Sequence, residues 1–263
     1  MLPLWLGAAC CAPVVRGTRQ QAAASLSGSK LPHSNDIMSS VLIHRAEARR
    51  QLREYAAGEI TNANLARGAL LFALEDYPQL DVDEMLARLD DLAARAMRRG
   101  SPGEPPIFRL GHLHAEMFDV DGYRGDSDHY YDPRNVYLNE VIQRKLGIPI
   151  SLSIIFLHAA SKMGLNAAGV GLPGHYIVKV QFELNEVYVD PFHDGSTLTV
   201  PEISEMLAQM TGGRGRLSSE HLRAWDGRET LQRVAANLQN MWARAGDNRR
   251  SDSARERMEI LRG

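Results

Sequence analysis

The sequence predicts an α+β protein in which helices surround an antiparallel sheet and a helical bundle precedes them, and three stretches carry that expectation. Residues 81–99 repeat Val82, Met85, Leu86, Leu89, Leu92, Ala93 and Ala96 at three- and four-residue spacing, the single apolar face of an amphipathic helix. Residues 150–163 are apolar on every side, which places that helix in the interior. HYIVKV and EVYVD alternate with period two across the short link ELNE, the pattern of an antiparallel hairpin.

Composition sets broad limits. Hydrophobic residues make up 44% and charged residues 24% of the 263, the balance of a globular chain able to bury a core without staples. A formal charge of -2 indicates neither nucleic acid nor an anionic membrane as partner. The two cysteines, Cys10 and Cys11, are adjacent, so neither a disulfide framework nor a four-ligand zinc site is available. A reducing, cytoplasmic compartment is the simplest expectation. Residues 1–37 hold Arg16, Arg19 and Lys30 and no acid before Asp36, so they read as an organelle presequence or as an over-extended start ahead of Met38. Pro3 and Pro13 argue against a signal peptide, and no other run approaches the ~18 apolar residues of a membrane span.

From residue 38 to 100 the pattern is helical. Leu65, Ala69, Leu70, Phe72 and Leu74 mark a buried helix that ends near Tyr77-Pro78, and Asp81 with Glu84 caps the next one. SPGEPP, 101–106, is a hard break. The segment after it is dense in His112, His114, Asp119, Asp121, Asp126, Asp128, His129 and Asp132, but it lacks the ligand spacing of a calcium hand. It is expected to be a polar, turn-rich loop without metal. Residues 133–146 read as one helix with Pro133 in its first turn and Gly147 past its end, carrying Asn135 and Asn139 to brace a neighbouring loop.

Ser151 and Ser153 lie in the first turn of the apolar helix, where a hydroxyl ordinarily caps orphan amides. Gly164 ends that helix. His175 begins one strand of the hairpin and Asp190 closes the other, so antiparallel pairing brings them to the same end. Helices follow over 201–210 and 228–245, separated by the loop TGGRGR, and the charged tail from Asp247 is expected to be a solvated helix.

GVGLPG, 169–174, matches the Gly-x-Gly-x-x-Gly string of dinucleotide sites but is interrupted by Pro173 and precedes a strand, so it is rejected. Ser151, His175 and Asp190 could form a nucleophile, a base and an orienting acid, with gaps of 24 and 15 residues. Their order matches a thiol-protease arrangement, with the nucleophile at a helix N-terminus and the other two on neighbouring strands.

GIPISLSIIFLHAASKMGL, LPGHYIV and VYVDPFHDG, preceded by YYDPRNVYLNEVI and by YPQLD and LARLDDLA, resemble in order and spacing the SirB-type regulator family of the transglutaminase-like superfamily. The likeness runs from about Glu59 to Trp242. It implies a papain- and transglutaminase-like core over 101–225, a helical region over 38–100, and a C-terminal helix over 226–263 that is the remnant of a tetratricopeptide-like tail. NLQNMWARAGD resembles the opening helix of that tail.

The resemblance also implies a Cys-His-Asp machinery in which His175 and Asp190 match the last two positions. Ser151, or less directly Ser153, takes the place of the cysteine. A hydroxyl is far less acidic than a thiol, so conventional transglutaminase or thiol-protease activity is not expected. The implied role is a regulatory, protein-binding module without cofactor or metal. The alternative is a Ser-His-Asp hydrolase or acyl-transfer enzyme.

Overall fold

The computed structural model describes residues 34–263; residues 1–33, with most of the expected leader and both cysteines, lie outside them. The helical part opens with α1 (Ser34–Ala56), α2 (Asn62–Ala73), α3 (Val82–Arg98) and α4 (Pro106–His114). Two-residue strands β1 (Arg124–Gly125) and β2 (Leu146–Gly147) pair in parallel around α5 (Leu138–Arg144). Then come α6 (Pro149–Lys162) and an antiparallel sheet of β3 (Asn166–Leu172), β4 (His175–Gln181), β5 (Glu186–Asp190) and β6 (Ser196–Leu198), paired in chain order. The chain closes with α7 (Val200–Met210), α8 (Gly227–Arg244) and α9 (Asn248–Arg262). The architecture is α+β, as the periodicities predict.

α6 explains its own composition. It packs against α2 and α3 on one side and β3 and β4 on the other, and every residue from Pro149 to Ala160 is buried. Tyr176, Val178, Val180 and Val189 join the core on the α6 side of the sheet. Val170, Leu172, Ile177 and Tyr188 join Ile203 of α7 in a second, smaller core. With helices on both faces, the sheet offers its ends rather than its faces to a ligand.

Several segments differ from expectation. Residues 106–120 are helical, because α4 continues into a π-helical turn over Ala115–Val120. Leu110, Leu113, Met117 and Phe118 form a buried stripe there, which the surrounding acids and histidines conceal in the sequence. Asp81 does cap α3, accepting from the Glu84 amide at 3.0 Å, but the Glu84 carboxylate turns to Arg88 instead of closing a capping box.

The single helix expected over 133–146 is two pieces, a 3-10 turn over Pro133–Asn135 and α5, which ends at Lys145 with a left-handed φ of 61°. The carbonyl of Asn135 is drawn away from helical bonding, since it accepts from the Ile148 amide at 3.2 Å. β3 and β6 have no counterpart among the expected strands. Gly171 weakens the strand signal of β3 and is required there by close approach, because a Cβ on it would stand 2.1 Å from the Trp225 ring.

The tail is a helix, but it is not solvated all round. Ala254, Arg257 and Leu261 of α9 are buried against α1 and α8. Arg257, 1% exposed, donates to the Phe72 carbonyl and lies 3.4 Å from Asp76. Among the described residues no helix is long and apolar enough to cross a membrane.

Candidate functional site

The candidate site lies at the end of the sheet where β4 begins and β5 ends. Leu172 pairs with His175 across the two-residue turn Pro173-Gly174, where Gly174 supplies a φ of +78°, so His175 is the first residue of its strand. Val178 pairs with Val189, a register that carries Asp190 opposite Ile177, so that it stands diagonally across from His175 on the same face. The two side chains meet directly: His175 Nε2 donates to Asp190 Oδ2 at 2.7 Å. With Nε2 carrying that proton, Nδ1 holds the lone pair, and it has no hydrogen-bond partner among the described residues.

Asp190 is fully buried and well satisfied. Its Oδ1 accepts from the Phe192 amide at 3.0 Å, and its Oδ2 accepts a second bond from His193 Nδ1 at 2.8 Å. Burial by itself would raise the pKa of Asp190. The hydrogen bonds from His175 first, and from His193 after it, outweigh burial and hold the carboxyl below its ordinary range. Asp190 is therefore ionised at neutral pH.

The turn after β5 folds back on itself. The Asp190 carbonyl accepts from the amides of His193 at 3.2 Å and Gly195 at 3.0 Å, and Asp194 takes a φ of 52°. Phe192 meets the His175 ring edge-on at 6.1 Å and Tyr130 meets Phe192 at 5.9 Å, so aromatic rings screen one flank of the imidazole. The Phe192 carbonyl accepts from the Gly125 amide at 3.1 Å, which ties this turn to β1.

Ser151 is placed elsewhere in the hydrogen-bond network. Its hydroxyl, 1% exposed, reaches the Asn135 carbonyl at 2.7 Å and the Ile148 carbonyl at 3.0 Å, and it accepts from the Ile148 amide at 3.1 Å. None of these bonds goes to His175 or Asp190. The hydroxyl thus ties the first turn of α6 to the 3-10 turn before α5. Ser153 is also buried, and its Oγ has no partner among the described residues.

Asn135 braces the preceding loop as its spacing suggests: its amide donates to the His129 carbonyl at 2.8 Å and to Asp126 at 3.1 Å. The other acids and histidines of 112–132 go to separate duties. His112 pairs with Glu104 at 3.1 Å, and Asp121 with Arg95 at 2.7 Å. Glu116 is buried between Arg95 at 2.8 Å and Arg99 at 2.7 Å. Among the described residues, His175, Asp190 and His193 form a group of potential metal ligands, with donor atoms within 4.8 Å of one another. Sequence reasoning passed over His193 and Phe192. The signal that could have found them is the turn string Asp-Pro-Phe-His-Asp-Gly, in which an aspartate readily accepts from the amide two residues on.

Comparison with known proteins agrees with this architecture. The profile of the transglutaminase-like superfamily matches residues 83–236. A UPF0162 protein of Xylella fastidiosa strain 9a5c is 33% identical over 202 residues, covering 74% of this chain and 69% of that one. A UPF0162 protein of Pseudomonas aeruginosa is 29% identical over 187 residues, 70% of this chain and 66% of its own length. F-box only protein 21 of Mus musculus is 23% identical over 212 residues, 71% of this chain but 33% of its own. No solved structure matches the chain.

Proposed function

The chain belongs to the transglutaminase-like superfamily, and we propose that it is a SirB-type member that works by binding a protein partner through the superfamily cleft rather than by acyl transfer. In this reading His175 and Asp190 keep the His and Asp positions of a thiol enzyme, and Ser151 is a structural residue at the position of the lost nucleophile. The hydroxyl of Ser151 carries the reading. Its proton goes to a main-chain carbonyl and one lone pair takes the Ile148 amide, so the proton is not offered to the imidazole.

A serine becomes a nucleophile only when a base removes its proton, and the base must lie within hydrogen-bond reach. Turning Ser151 toward His175 would strip the Ile148 amide of a buried acceptor, at a cost of about 1–3 kcal/mol. The Ser-His-Asp hydrolase alternative requires that rearrangement. The partner is read as a protein because a formal charge of -2 gives no electrostatic pull toward nucleic acid, and the compartment as cytoplasmic. The packing of the consecutive helices α8 and α9 against each other supports reading the C-terminal region as the start of a tetratricopeptide-like tail.

The test is exposure of the whole chain to a fluorophosphonate probe, with adducts located by peptide mass spectrometry. The expected result is no adduct on Ser151 in folded protein. An adduct on Ser151 that disappears in His175→Ala would replace this reading with the hydrolase one.

A further inference from the structure

We propose that His175, Asp190 and His193 form a binding site for a divalent first-row transition ion, held by two imidazole nitrogens and one carboxylate oxygen. The proposal does not depend on whether the cleft binds a protein or reacts. A dyad needs one imidazole on its carboxylate, yet here a second one, three residues after Asp190, is aimed at the same oxygen.

The donor set is chemically specific. Two imidazoles and a carboxylate on one side of an ion, with the other positions open, are the ligands of non-haem ferrous centres, and related sets hold zinc. The open positions beside such a set suit the octahedral form. Ligand atoms about 2.05 Å from an octahedral ion stand ~2.9 Å apart when adjacent, whereas tetrahedral sites spread them to ~3.3 Å. His175 Nε2 and His193 Nδ1 lie 2.7 and 2.8 Å from Asp190 Oδ2, and all three donor atoms fall within 4.8 Å of one another, so adjustment of the side chains brings them to one ion.

The site is built to keep two ligands fixed and one adjustable. Asp190 and His175 are 0% and 4% exposed, and the Phe192 amide fixes the carboxylate's orientation through Oδ1. The His193 side chain is 59% exposed, so it opens the site to an ion arriving from solution. Protons balance without an external base. On binding, His175 gives up the proton on Nε2 and takes one on its unpartnered Nδ1, and His193 does the same between Nδ1 and Nε2, so each ring stays neutral in its other tautomer.

The experiment is titration of the full chain with Co²⁺ alone, followed by its visible d–d absorption, in a Cys10→Ser, Cys11→Ser background that removes adventitious thiolate binding. Wild-type residues at 175, 190 and 193 should give saturable binding of one ion with the weak absorption of a six-coordinate centre. His193→Ala, a change at an exposed side chain checked for a wild-type circular dichroism spectrum, should weaken binding at least ~10-fold. Absence of saturable binding, or equal affinity with and without His193, would overturn the proposal. A fluorophosphonate adduct on Ser151 would leave it standing.

Discussion

At the scale of single residues, Ser151 and the pair His175–Asp190 behave differently because their partners differ. Ser151 is bonded to main chain before α5, at Asn135, and just before α6, at Ile148. Ser151→Ala should therefore destabilise the protein by about 1–2 kcal/mol in urea unfolding, as the loss of a helix cap does. His158 offers a pH-dependent check. Burial lowers its pKa and outweighs the opposing pull of Asp90, 2.7 Å from its Nε2. A lowered folded pKa means that the unfolded chain binds more protons in the window below ~6.5, so stability is full above that pH and falls as the solution is acidified. Thermal unfolding at pH 7.5 and 5.5 should show this loss, and His158→Phe should reduce the difference; an unchanged difference would remove His158 as its source. Much of this scale was legible in the sequence. Capping by Ser151 follows from its first-turn position, and the meeting of His175 with Asp190 follows from alternation across a short link. His193 was overlooked, because its approach depends on a turn whose aspartate accepts the Phe192 amide, a signal carried by local turn chemistry and not by periodicity.

At the scale of elements, periodicity worked where one side of a segment is plainly apolar and failed where special chemistry masks it. α3, α6, α8 and the β4–β5 hairpin are of the first kind. β3 is of the second, since glycine gives up strand signal to admit neighbouring rings. Gly171→Val should force the Trp225 ring aside, costing about 1–3 kcal/mol and shifting tryptophan emission; unaltered emission and stability would count against the close packing seen there. α9 was masked by its charges. Its Arg257 is a buried cation whose guanidinium reaches Phe72 and Asp76, so a residue typical of surfaces fastens the helix to α2. Arg257→Ala should cost about 3 kcal/mol in urea unfolding, the low end for breaking a buried pair, because Tyr137 at 2.6 Å and Arg250 at 3.2 Å remain on Asp76. A loss below half of that would mean that α9 is held by its apolar residues alone.

At the scale of the whole molecule, α6 is held between helices and sheet and carries Ser151 into the interior at its first turn. Its first turn begins where a thiol enzyme of this superfamily is expected to keep its nucleophile, and fold class was readable from the one-sided α3, the all-apolar α6 and the β4–β5 alternation together. What the chain does with this site was not readable, because it depends on where a single oxygen points. The central claim is that position 151 faces the main chain and not the imidazole. The most direct test is Ser151→Cys in a Cys10→Ser, Cys11→Ser background, with iodoacetamide alkylation followed against pH. The account predicts a native thiol that alkylates only as fast as the protein unfolds and is indifferent to His175→Ala. Rapid alkylation of folded protein at neutral pH, slowed when His175 is removed, would contradict it.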